Sequence, residues 1–120
     1  MTAQTPDRRQ TVRLTIPAQH FTPPGVELRP VRLLDLSPMG VRIEHAEPLH
    51  EGVVCHVDLP PALGRASLTC KVVWTRLHKR EQTVEGDTRV SYQSGLTFIR
   101  LTPEQQAKLA DALQILEMDE

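Results

Sequence analysis

Apolar and polar residues alternate along most of this chain, and the period lengthens to three and four only near its end. Val53, Cys55, Val57 and Leu59 share one face of a two-residue repeat, and so do Leu68, Cys70, Val72 and Trp74. That period belongs to half-buried strands. Between the two runs lies Pro60-Pro-Ala-Leu-Gly-Arg65, with the proline and glycine of a turn. A hairpin centred there sets Cys55 opposite Cys70, Val57 opposite Leu68 and Val53 opposite Val72, so the apolar faces coincide. On this register both thiols are small buried hydrophobes, and Trp74 falls on the inward face as a core residue.

The same reading predicts further strands. Arg13 to Phe21 forms one, broken at Pro17. Val26 to Leu36 forms a longer one, with Pro30 marking an edge or a bend. Val41-Arg-Ile43-Glu alternates apolar with charged. Arg89 to Leu101 carries Leu96 and Phe98 on one face, and its Gly95 signals a bulge or a close backbone approach. Turns are expected at Pro23-Pro24-Gly25 and Ser37-Pro-Met-Gly40. Leu77 to Thr88 (LHKREQTVEGDT) lacks alternation and is dense in charge, which predicts a mobile hairpin loop.

Thr102-Pro103-Glu104-Gln105 opens a helix. Threonine caps it, proline suits its first position, and glutamine stands three residues after the cap. Leu109, Ala110, Leu113 and Leu116 recur at helical spacing behind it, one stripe that packs on a sheet. Strands separated by turns and closed by one helix describe a mainly β domain, a small β-barrel or sandwich with a C-terminal α-helix. Residues 1–8 have no periodicity and read as a flexible tail; residues 9–118 read as a single domain.

Composition narrows the function. With 120 residues, 39% hydrophobic and 24% charged, the chain can bury a core without staples. Aromatics make up 3%, so Val, Leu and Ile must fill that core. Nothing approaches the roughly 18–20 apolar residues of a membrane span, and MTAQTPDRRQ lacks the apolar run of a secretory leader. The expected location is the cytoplasm. Two cysteines and five scattered histidines offer no disulfide framework and no zinc spacing, so no metal or cofactor is expected. A net charge of −1 argues against a generic DNA or RNA binder. The charge is uneven, however. Asp7 to Arg42 holds six arginines and three acids, a local +3, while the rest holds eight basic and twelve acidic residues, a local −4.

The basic part contains two polar clusters. Arg8, Arg9 and Arg13 supply three planar guanidinium groups within six residues. Such groups fork onto phosphate, match the O6/N7 edge of guanine and stack on bases. Asp35-Leu-Ser37-Pro-Met-Gly40 follows an apolar strand. Its carboxylate can accept the N1–H and N2–H of guanine, Ser37 offers a hydroxyl for phosphate or base, and Gly40 permits positive φ and close backbone approach. Taken singly, each cluster is matched by a plainer reading, a solvated basic tail and an ordinary turn. Arg42 points outward if Val41 and Ile43 point inward, where it is either a solvated strand residue, the plainer reading, or added charge near the site.

Taken together, Arg9-x-x-x-Arg13 followed by Asp35-x-Ser37-x-x-Gly40 resembles the PilZ family, bacterial receptors for cyclic di-GMP. Cys70-Lys-Val-Val-Trp-Thr-Arg76 and Ser94-Gly-Leu-Thr-Phe98 resemble that family's later strands, so the likeness runs from about residue 8 to 116. The resemblance implies a six-stranded antiparallel, PilZ-like split β-barrel with a C-terminal helix. It implies cyclic di-GMP as the ligand. Arg9 and Arg13 would contact phosphate and guanine, Asp35 and Ser37 would hold guanine and the ligand backbone, and Gly40 would shape the turn. Arg8, just before the motif, resembles members that hold an intercalated ligand dimer.

The expected function is therefore a cyclic di-GMP receptor or adaptor that changes conformation and signals to an effector protein, with motility, pilus or exopolysaccharide machinery all compatible. The alternative is a PilZ-like interaction module that does not bind nucleotide. Catalysis is not expected. The sequence has no nucleophile with a positioned base and no G-x-x-x-x-G-K-[ST] phosphate loop.

Overall fold

The computed structural model describes residues 11–16, 27–46 and 48–118. Within them β1 runs over Thr11–Ile16, β2 over Glu27–Leu36, β3 over Gly40–His45, β4 over Val54–Asp58, β5 over Ser67–Gln82 and β6 over Thr88–Phe98, and α1 covers Pro103–Met118. The strands are antiparallel and close into a barrel in the order β1-β2-β3-β6-β5-β4. β1 pairs with β2 on one side and β4 on the other, which closes the ring and decides between barrel and sandwich. The expected tail over 1–8, the strand beyond Ile16 and the Pro23-Pro24-Gly25 turn lie outside the described residues, as do Arg8 and Arg9.

Alternation builds the core. Val12, Leu14 and Ile16 of β1, Val31, Leu33 and Leu36 of β2, Val41 and Ile43 of β3, and Leu68 and Val72 of β5 all point inward and are buried. Each such aliphatic side chain removed from water stabilises the fold by roughly 1.5–3 kcal/mol. Cys55 stands opposite Cys70 and Val57 opposite Leu68. The Val72 N–H donates to the Val53 carbonyl at 2.9 Å, so the register matches the one read from the pattern. A 3-10 turn at Pro61–Leu63 drops Leu63 into the core beneath the hairpin loop. Burial pushes the Cys55 thiol up to about 12. The Cys70 thiol is also raised, by burial first and by neighbouring Cys55 second. Both therefore stay protonated at neutral pH and serve packing.

Helix α1 starts at the expected box. The Thr102 N–H donates to Gln105 Oε1 at 2.8 Å and the Gln105 N–H to Thr102 Oγ1 at 3.1 Å, which satisfies two otherwise orphaned donors. Gln105 Nε2 also donates to the Ser67 carbonyl at 2.7 Å and ties the helix to the start of β5. Leu109 and Ala112 are buried, with Leu113 and Leu116 packed partly against the core.

Three expectations need correction. Ala110 is exposed and Ala112 holds the buried place instead, because the stripe follows i, i+3, i+4, i+7 from Leu109. Leu77 to Thr88 is not a loop. β5 and β6 stay paired out to Gln82 opposite Thr88, and only a turn closed by Thr83 and Asp87 remains. This arm carries exposed side chains almost throughout, so a ladder of backbone hydrogen bonds forms it without the apolar alternation that marks a strand on a core. Third, Trp74 is not in the core, and the reason shapes the site below.

Candidate ligand-binding site

Two β-bulges set the geometry. Along β2 and β3, Leu33 faces Ile43 and Asp35 faces Arg42, so Leu34 is the extra residue. Leu33 and Ile43 are an inward, buried pair. Without the bulge Asp35 would face Val41, which is also inward. The inserted residue gives that place to Leu36 and turns Asp35 to the outer surface. The second bulge, at Val73, lies between the pairs Val72–Leu96 and Trp74–Gly95. It reverses the phase of β5 in the same way and brings Trp74 outside.

The outward residues then form a row across four strands. Asp35 of β2 faces Arg42 of β3, Arg42 faces Gly95 of β6, and Gly95 faces Trp74 of β5. Arg42 is exposed between buried Val41 and Ile43, as the alternation indicated. Gly95 has no side chain because the Trp74 indole lies across it. A methyl there would run into Nε1, Cε2 and Cζ2 of that ring. The guanidinium of Arg76 stacks over Trp74 at 4.8 Å from the ring centroid, a cation–π contact that holds the indole flat. Asp35, Ser37, Gly40, Arg42 and Trp74 line one open depression of about 280 Å³. It offers a carboxylate, a guanidinium and an aromatic ring, the donor and acceptor set of a purine site. Trp74 and Arg42 are the residues that sequence reasoning underweighted. The only signal for Trp74 was its neighbour Gly95.

The turn from Ser37 to Gly40 is built around one hydroxyl. Ser37 Oγ accepts the N–H groups of Met39 and Gly40, each at 3.2 Å, and donates to the Gly40 carbonyl at 3.3 Å. The Ser37 N–H adds a bond to the same carbonyl at 2.9 Å. The hydroxyl expected to face a ligand is thus engaged in shaping the loop that presents Asp35. The Met39 carbonyl accepts from the Phe98 N–H at 2.9 Å and from Thr97 Oγ1 at 3.2 Å, which pins the turn to β6. Gly40 is not among the residues with positive φ. It is glycine because the Leu96 carbonyl passes directly beneath it, leaving no room for a Cβ.

Arg13 lies elsewhere. It is exposed on the outer face of β1, facing Pro30 and Asp58. There it lines a separate groove with Thr11, Asp58, Arg65 and Ser67. The structure brings Asp35, Ser37 and Gly40 together and sets Arg13 apart from them. The start of β1 points back toward them, since Thr11 faces Arg32, three residues before Asp35. Arg8 and Arg9 lie outside the described residues.

One constellation resembles a catalytic pair. His45 Nε2 lies 2.7 Å from Ser94 Oγ, and Thr75 Oγ1 lies 2.7 Å from the same hydroxyl. Ser94 is fully buried, so this chain is a polar strut at the end of the barrel, closed by His45 stacking on Tyr92. Among the described residues no three His, Cys, Asp or Glu side chains gather as a metal site, and no helix is long and apolar enough to cross a membrane.

Comparison with known proteins agrees with this architecture. The model of the PilZ domain family matches residues 7–114. The PilZ domain with c-di-GMP of YcgR from Escherichia coli superposes with a TM-score of 0.63 at 15% identity, over 96% of this chain and 94% of that one. MrkH, described as a c-di-GMP-dependent transcription regulatory factor, gives a TM-score of 0.66 at 12% identity over 98% of this chain. The K. pneumonia MrkH–c-di-GMP complex gives 0.64 at 13% over 97%. The chain spans about half the length of MrkH (49% and 54%) and nearly all of the YcgR domain. No curated protein matches the sequence.

Proposed function

The chain belongs to the PilZ domain family, and from that membership we propose that it is a receptor for cyclic di-GMP that passes the signal to a partner protein. One observation carries the reading. A sequence with both arginines and every fixed residue of the Asp-x-Ser-x-x-Gly pattern folds so that Asp35, Ser37, Gly40, Arg42 and Trp74 share one outward depression. YcgR and MrkH, which share the fold, were solved with the same nucleotide.

The roles follow from the chemistry. Asp35 is turned outward by a bulge in a rigid strand, so its carboxylate accepts the paired N1–H and N2–H donors that guanine has and adenine lacks. Ser37 and Gly40 hold the loop that fixes Asp35. Arg42 adds positive charge beside it, and the Trp74 indole, lying across Gly95 with the Arg76 guanidinium stacked over it, closes the row. The depression sits at the small end of ligand pockets, which span roughly 300–1,000 Å³, so it holds part of a cyclic dinucleotide. Arg8 and Arg9 precede β1, whose start faces Arg32 of β2; with Arg13, which must reach across β1 from its own groove, they cover the remainder as a clamp on its phosphates and on the Hoogsteen edge of guanine. The clamp gains these contacts only with ligand present, so the ligand shifts the protein toward the clamped state. A partner reads the changed surface. Because charge supplies much of the attraction, affinity falls as salt rises.

Trp74 is the single tryptophan of the chain and lines the depression, so its emission reports on binding. Titration with cyclic di-GMP should give a saturable change in intensity or wavelength, absent with GTP at the same concentration. An unchanged spectrum would place the nucleotide elsewhere.

A further inference from the structure

Arg65 adopts a backbone conformation that an arginine rarely takes. Its φ is 59°, directly after Gly64 at 90°. In the left-handed region a Cβ crowds the backbone, and glycine fills such places at no steric cost. Here the strained position carries one of the longest charged side chains. Such outliers cluster at active sites, ligand clamps and switch regions; Arg100, at φ 50°, is the other non-glycine one among the described residues, and it lies away from this groove.

What the conformation positions is the groove that also contains Arg13. Thr11, Arg13, Asp58, Arg65 and Ser67 line it, with Leu59, Pro60 and Pro61 as its apolar wall, in a volume of about 830 Å³. Arg13 is carried by the outer face of β1, and Arg65 by the loop that joins β4 to β5. That loop is tied down at both ends: the Leu59 N–H donates to the Ala66 carbonyl at 2.8 Å, and the Arg65 N–H to the Pro60 carbonyl at 3.2 Å. Asp58 is the opposing charge. The ion pair that the described residues contain is Lys79–Glu81, so neither arginine is spent on Asp58. The groove is left with two guanidinium forks, two hydroxyls and one carboxylate, a net positive site with planar bidentate donors.

We propose that Arg13 and Arg65 form a phosphate-binding groove between β1 and the β4–β5 loop, separate from the Asp35 depression. The group it takes is a phosphate monoester, diester or pyrophosphate, recognised without a base. It shares Arg13 with the cyclic di-GMP reading but does not use Asp35, so the two can fail independently. The phosphate is that of a free anion; the arms of the test separate it from the phosphate of a nucleotide held in the Asp35 depression and reaching round β1.

The test is a ¹H–¹⁵N titration of the whole chain with inorganic pyrophosphate at low salt, followed by cyclic di-GMP. Pyrophosphate alone should shift the Thr11, Arg65 and Ser67 amides and the Arg13 and Arg65 side-chain Nε–H signals, saturably and more weakly as salt rises. Arg65→Gly should weaken this by about tenfold or more, the loss of one charge-assisted fork, while melting no lower than wild type because the strain is relieved. Arg65→Lys keeps the charge and should recover only part of the affinity. Asp35→Ala should leave the pyrophosphate response intact. If cyclic di-GMP moves these signals but pyrophosphate does not, the groove is only an extension of the nucleotide site and the proposal is overturned. It is equally overturned if Arg65→Gly binds pyrophosphate like wild type, or if Arg65→Gly melts lower.

Discussion

Gly40→Ala isolates the contact that holds the site together. The added methyl would meet the Leu96 carbonyl oxygen head on and come within 3.0 Å of Leu96 C and Thr97 Cα. All three are backbone atoms of β6, so no side chain can swing away. β3 must part from β6 locally, and the bonds around it weaken: the Gly40 N–H to Ser37 Oγ at 3.2 Å, and the Met39 carbonyl to the Phe98 N–H at 2.9 Å. Forcing an extra methyl into a packed place costs about 1–3 kcal/mol, and one or two impaired hydrogen bonds add about 1 kcal/mol each. A loss of about 3 kcal/mol is therefore expected. For a domain of this size one kcal/mol moves the melting temperature by about 3–5 °C, so Gly40→Ala should melt about 10 °C lower. Differential scanning calorimetry of the free protein measures this. A drop under about 2 °C would refute the close approach and return Gly40 to a purely conformational role. Gly52→Ala is the contrasting control. It has positive φ and open space at its Cβ, so its cost is backbone strain alone.

Other expectations concern the ligand and the thiols. Asp35→Ala should weaken cyclic di-GMP more than cyclic di-AMP in parallel titrations; equal losses would remove Asp35 as the guanine reader. Arg13→Ala should abolish measurable cyclic di-GMP binding with an unchanged melting temperature, since its side chain is exposed on β1, and a large loss of apo stability would make it structural instead. Cys55 titrates well above its ordinary 9.0, at about 12, because burial disfavours the thiolate. A folded value raised above the unfolded one means the thiol's contribution is complete below pH 9.0 and declines as pH climbs from there toward about 12. Thermal melts from pH 7 to 11 should show that decline, and Cys55→Ala should lessen it.

Much of the fold was legible because its signals are local. The β4–β5 register follows from two alternating runs about one loop, and the Thr102–Gln105 box names the helix start outright. What stayed hidden depends on partners far away in sequence. The arm beyond Leu77 has no buried face, so nothing in its composition distinguishes a backbone-paired ribbon from a loop. Trp74 continues the inward alternation of Leu68, Cys70 and Val72 on paper. One bulged residue, Val73, sends it to the opposite face, and a bulge leaves no mark on alternation until the partner strand is known. Leu34 does the same for Asp35, in the direction that helps the site. The motif spacing grouped Asp35, Ser37 and Gly40, which line one depression, but it could not show that Arg13 faces a different groove across β1. Nor could it show that the Ser37 hydroxyl is engaged in its own turn.

The central claim is that the outward row Asp35–Arg42–Gly95–Trp74, together with the arginine segment, recognises cyclic di-GMP. Isothermal titration calorimetry of the whole chain with this nucleotide addresses it most directly. Saturable heat at micromolar protein and ligand, weakening with salt and weaker in Asp35→Ala, is the predicted result. No heat from a folded sample at those concentrations would contradict the account and leave the barrel as an interaction module that does not bind the nucleotide.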